Sequence, residues 1–125
     1  MKIRIIDYSV DSNEVRFSSE YGTARGIWRG EKIEDREYYV EINIPGKVSK
    51  LDVRAVNDNV PRIFVEKNII SIIGRLEDIE VGYATLVVGD SLIMLELEKG
   101  NFELFENKYV QLNVTYIELY DEGLN

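Results

Sequence analysis

Cysteine and histidine are both missing from this sequence. Without cysteine there is no disulfide framework and no thiolate chemistry. Without histidine there is no Ser-His or Cys-His nucleophile pair and no His-ligated zinc. Catalysis would have to rest on carboxylates, Lys, Tyr or a cofactor. No metal site and no cofactor is expected. Proline occurs twice and tryptophan once. No apolar run approaches the length of a membrane span. The opening Met1-Lys2-Ile3-Arg4-Ile5-Ile6 is strand-like and reaches an acid at Asp7, unlike the long apolar core of a signal peptide. The expectation is a cytoplasmic protein with no membrane partner. Asn113-Val114-Thr115 fits the glycosylation pattern but has no meaning without secretion.

What is present is strand-forming sequence. The 125 residues are 45% hydrophobic and 30% charged, which suits one globular domain with a real core. The clearest stretch runs from Ile69 to Glu98. Gly89-Asp90 lies between two β-rich runs and signals a two-residue hairpin turn. That turn sets Val88 against Ser91, Leu86 against Ile93 and Ala84 against Leu95. One hairpin face is then apolar. The other holds Tyr83, Thr85, Val87, Leu92 and Met94 with Glu96. Apolar character on both faces predicts a hairpin covered twice.

Strands are also predicted over residues 2–10, 14–20, 23–29 and 38–44, a short one around 63–65, and a long one over 109–120. Val110, Leu112, Val114 and Tyr116 share one parity in the last of these, while Ile117 and Leu119 take the other. A switch of phase predicts a bulge or bend, of the kind that carries a strand between sheets or closes a barrel. Residues 30–37 read as a charged loop, with room for one helical turn. Residues 121–123 read as a loose tail, and no long helix is expected.

The two ends of the chain look alike. Ile3-Arg4-Ile5-Ile6 is similar to Ile70-Ser71-Ile72-Ile73, and residues 39–44 are similar to 109–114. The fold expected is all-β: two similar units of four to five antiparallel strands, residues 1–46 and 69–120, joined by 47–68 and packed as one body. The pieces 70–80, 83–88, 91–98 and 108–120 resemble the strand order of the OB-fold, a small five-stranded barrel. A β-sandwich is the alternative arrangement.

OB-like barrels bind nucleic acid on their second and third strands, through aromatics and a basic groove. The second unit offers Tyr83, Met94, Glu96 and Glu98 there, and carboxylates repel phosphate. The first unit carries Arg16, Tyr21, Arg25, Trp28 and Arg29, a basic and aromatic hairpin. Residues 1–67 hold twelve Lys/Arg and twelve Asp/Glu, whereas residues 68–125 hold three and eleven. The whole net charge of −8 lies in the second half.

The leading expectation is a non-enzymatic protein-binding module, of inhibitor or immunity type. Its acidic face, with Glu77, Glu80, Glu96 and Glu98, would meet a basic protein partner. The alternative is single-stranded nucleic-acid binding through the arginine hairpin. A carboxylate enzyme stands third, and the sequence leaves room for a homodimer. Glu77-Asp78-Ile79-Glu80 lacks the spacing and glycine of a calcium loop, and strand alternation would aim Glu77 and Asp78 to opposite faces.

Overall fold

The computed structural model describes residues 1–123. About 59% of it is strand, and no α-helix occurs among the described residues. The protein is all-β, with a closed five-stranded barrel and a seven-stranded sheet. Among the described residues no helix is long and apolar enough to cross a membrane.

The barrel is built from β1 (Lys2–Tyr8), β2 (Glu14–Ser19), β3 (Gly22–Trp28), β4 (Glu37–Asn43) and β12 (Glu118–Asp121), in the order β1-β2-β3-β12-β4. The period-2 alternation of these segments puts Ile3, Ile5, Val15, Phe17, Val40, Ile42 and Leu119 inside. The second sheet uses β5 (Lys47–Val48), β6 (Val53–Ala55), β8 (Ile69–Glu80), β9 (Tyr83–Val88), β10 (Ser91–Leu97) and β11 (Tyr109–Val114), in the order β5-β10-β9-β8-β11-β6. β7 (Arg62–Glu66) adds to β8. The two end strands of this sheet, β5 and β6, are joined by a single 3-10 turn over Lys50–Asp52, capped by Ser49.

The last strand of each half lies with the other half. β12 follows β11 in the chain but pairs with β3 and β4. The segment of β5 and β6 follows β4 but pairs with β10 and β11. Residues 47–55 are therefore strands of the second sheet as well as the connection. The phase switch predicted within 109–120 marks the crossing: β11 ends at Val114 in the second sheet, and Ile117 and Leu119, both fully buried, lead into the barrel. Two pairings, β12 with β3 and β10 with β5, are parallel, so the expected all-antiparallel arrangement does not hold throughout.

The Gly89-Asp90 hairpin has the predicted register, Val88 to Ser91, Leu86 to Ile93 and Ala84 to Leu95. Gly89 supplies the positive φ of 60° that the turn needs. The expectation of burial on both faces is overturned. Ala84, Leu86, Val88, Ile93 and Leu95 are buried, but Tyr83, Leu92 and Met94 on the other face stay exposed. Among the described residues nothing covers them, as antiparallel sheets can leave one face to water.

Two local expectations also fail. The charged loop 30–37 forms no helical turn. The segment 121–123 is not simply a tail, since Asp121 pairs with Val40 and Glu122 N–H donates to Tyr39 O at 2.9 Å.

Candidate protein-binding face

The outward face of β8, β9 and β10 is a grid of three cross-strand rows. Leu92, Val87 and Arg75 form the first row. Met94, Thr85 and Glu77 form the second, and Glu96, Tyr83 and Glu80 the third. Three large apolar side chains in the grid are more than half exposed: Tyr83 at 55%, Leu92 at 63% and Met94 at 57%. Thr85 at the centre is buried, and its hydroxyl donates to Met94 Sδ at 3.4 Å. The carboxylates gather at one corner. Glu80 and Glu96 flank Tyr83, and Glu77 is held by Arg75, with Nε and Nη2 both 2.9 Å from Glu77 Oε2.

A β-bulge shapes that corner. The β8–β9 register shifts between Glu77 and Glu80, where Asp78 takes a φ of 51°. Strand alternation therefore breaks between them, and the expected opposition of Glu77 and Asp78 rests on a regular strand that is not there. The extra residue returns Glu80 to Tyr83, on the same face as Glu77. Of the four acids predicted to share a face, Glu77, Glu80 and Glu96 are brought together. Glu98 lies past the end of β10, where it joins Glu80, Lys47 and Lys99 around a cleft of about 960 Å³. No cluster that could hold a metal ion occurs among the described residues.

The charge imbalance between the halves does not survive folding as two bodies of unlike charge. The crossing strands carry Lys47, Lys50 and Arg54 to the second sheet and Glu118 and Asp121 to the barrel. Residues 1–45 with 118–123 hold seven Lys/Arg and twelve Asp/Glu, for −5; residues 46–117 hold eight and eleven, for −3. The β8–β10 corner keeps a local group of carboxylates within that even spread.

The five residues of the alternative site are dispersed in role. Trp28 is buried, edge-on to Tyr38 at 4.8 Å, and its indole N–H donates to Glu31 O at 2.7 Å. It is core and offers no stacking face. Tyr21 turns its hydroxyl to the other hairpin and donates to Asp90 Oδ1 at 2.6 Å. Burial, with the Asp90 carboxylate second, pushes its phenol up to about 12, while the same bond holds Asp90 below its usual range. Arg29 pairs with Glu118 at 2.7 Å, and Asn43 donates to the same carboxylate. These two bonds hold Glu118 below its ordinary value. Arg16 pairs with Asp7 at 2.6 Å, and Arg25 donates to two backbone carbonyls.

Family profiles, curated proteins and solved structures give no match to this chain. The sequence reading missed the exposed apolar trio, for it took every apolar residue of the hairpin as core. It also missed that β7 sets Arg62 and Phe64 beside Arg16 and Arg25. Those two residues lie far from the hairpin in sequence, and no local pattern signals the meeting.

Proposed function

We propose that the protein is a non-enzymatic protein-binding module, and that the outward face of β8–β10 is its contact surface. The observation that carries this reading is the exposed trio Tyr83, Leu92 and Met94 lying against Glu77, Glu80 and Glu96. Tyr and Met are enriched at interfaces, where large flexible or planar side chains bury much area. Carboxylates on the rim select a partner whose surface is basic around an apolar centre, and they speed its approach. An inhibitor or immunity-type role, masking the basic surface of another protein, fits this chemistry.

The same proposal takes the two halves as copies of one OB-like unit that have exchanged their last strands. The β2–β3 hairpin closes with Ser19 opposite Gly22, and β9–β10 closes with Val88 opposite Ser91, 69 positions on. On that offset Phe17 corresponds to Leu86. Their cross-strand partners are Ile5 and Leu76, so Ile5 matches Leu76 and not Ile72 as the letters suggest. The proposed binding face is then the β1–β2–β3 face of the second unit.

The test is binding to the basic partner with and without the face. Changing Glu77, Glu80 and Glu96 to Lys should slow association and steepen dissociation, while the unfolding midpoint stays put. Tyr83→Ala with Met94→Ala should weaken the complex with little change in association rate, since steering is electrostatic. Unchanged binding in both variants would remove the face from consideration.

A further inference from the structure

The outward face of β2 and β3 contains an arrangement that folding by itself opposes. Arg16 and Arg25 stand directly opposite each other across the β2–β3 pair. Like charges in that position repel. β7 brings a third guanidinium, Arg62, to the same place. β3 and β7 meet where Ile63 N–H donates to Tyr21 O at 2.9 Å. There Gly22, at a φ of 135°, lies so near the Ile63 carbonyl that a Cβ would come within 2.1 Å of its oxygen. Further along, Arg25 reaches across to Asn68 O at 2.7 Å and Thr115 O at 3.3 Å.

Between these contacts is a groove of about 480 Å³. Its lining residues include Arg16, Arg25, Arg62, Tyr21 and Phe64, and no carboxylate residue lines it. The volume is that of a small-molecule site.

The three guanidiniums are held in different ways. Arg16 is oriented by Asp7, on β1. Arg62 lies 5.0 Å over the Phe64 ring and 3.9 Å from Asp58, a loose pair. Arg25 is fixed by carbonyl oxygens and, among the described residues, makes no ion pair. In a chain of net charge −8, this leaves fixed positive charge facing an acid-free hollow.

We infer that this groove binds a small organic phosphate. A phosphate monoester carries close to two negative charges at neutral pH and accepts from guanidinium forks. Its oxygens would relieve the Arg16–Arg25 repulsion, and its organic body would lie on Phe64, which shares a strand face with Arg62. A carboxylate, with one charge, matches three guanidiniums less well. A nucleic-acid strand needs free ring faces for successive bases. Here Trp28 is buried, and the groove has two aromatic residues, Tyr21 and Phe64, too few for a run of stacked bases. The groove lies apart from the β8–β10 face, so this inference stands or falls independently of the proposed function.

The test is calorimetric titration of the intact protein with phenyl phosphate and uridine monophosphate, with inorganic phosphate and uridine as controls. Saturable binding of both esters is expected, weaker binding of inorganic phosphate, and none of uridine. Arg16→Ala should weaken ester binding about tenfold, the loss of one charge-assisted hydrogen bond. It should leave the unfolding midpoint nearly unchanged, because the repulsion from Arg25 and the exposed pair with Asp7 are lost together. Asp7→Asn should tighten binding by freeing Arg16. The inference is overturned by no saturable binding at about 10 mM ester, which would fill about nine-tenths of a site with a Kd of about 1 mM. It is also overturned if Arg16→Ala changes nothing, if inorganic phosphate binds as well as the esters, or if a single-stranded decanucleotide binds far more tightly than uridine monophosphate.

Discussion

At the residue scale, two polar contacts connect segments far apart in the chain, and both have pH signatures. The Tyr21 hydroxyl and Asp90 join the tips of the two hairpins, at positions 69 apart. The phenol is raised to about 12, so the stability it contributes is full below the unfolded value near 10 and is lost as pH rises through the folded value. Urea denaturation in alkali should show this loss, and Tyr21→Phe should remove that pH dependence. Glu118 has the opposite sign. Its carboxylate is depressed, first by Arg29 and then by Asn43, so its contribution is present above the unfolded value and lost as pH falls through the folded one. Glu118→Gln should flatten the acid side of a stability profile. Gly89 is a steric rather than electrostatic case. Its φ is positive, and an added Cβ would fall 2.1 Å from the Tyr21 hydroxyl. Gly89→Ala should therefore destabilise by more than the ~1 kcal/mol usual for a left-handed site, as a melting curve would record.

At the element scale, the β9–β10 hairpin shows what the sequence discloses and what it withholds. Gly89-Asp90 and the strict alternation around it determine register, since a slip of one residue would expose Leu86 and Ile93. Both are buried at 1% or less. Leu86→Ala or Ile93→Ala should each cost ~2–5 kcal/mol in chemical denaturation. Leu92→Ala and Met94→Ala, on the open face, should cost within ~0.5 kcal/mol, the range of surface changes. Alternation cannot tell which apolar face meets a neighbour, because that depends on strands elsewhere in the chain. The same limit applied to β7. Ile63 and Val65 identified a strand, but not that it would bring Arg62 and Phe64 to the arginine hairpin. The β11–β12 crossing was legible, because the parity change at Ile117 is local. Its destination was not.

At the scale of the whole molecule, the crossing strands make the parts depend on one another. Leu119 lies in the last strand, yet it is fully buried and pairs with Trp28 and Ile42 in the barrel. Leu119→Ala should cost ~2–5 kcal/mol. Faster amide hydrogen exchange in β3 and β4 would show where that loss falls. The crossing also spreads the net charge over both parts, so a count by halves misplaces the acidity. What remains is a corner of carboxylates beside an open apolar patch. The most direct measurement of its role is side-by-side capture of partners by the native protein and by a variant with Glu77, Glu80 and Glu96 changed to Lys, both checked for an unchanged circular dichroism spectrum. The account predicts that the native protein retains a protein with a basic surface and that the variant loses it. Retention of the same partner by the variant, or recovery of only acidic partners, would contradict it.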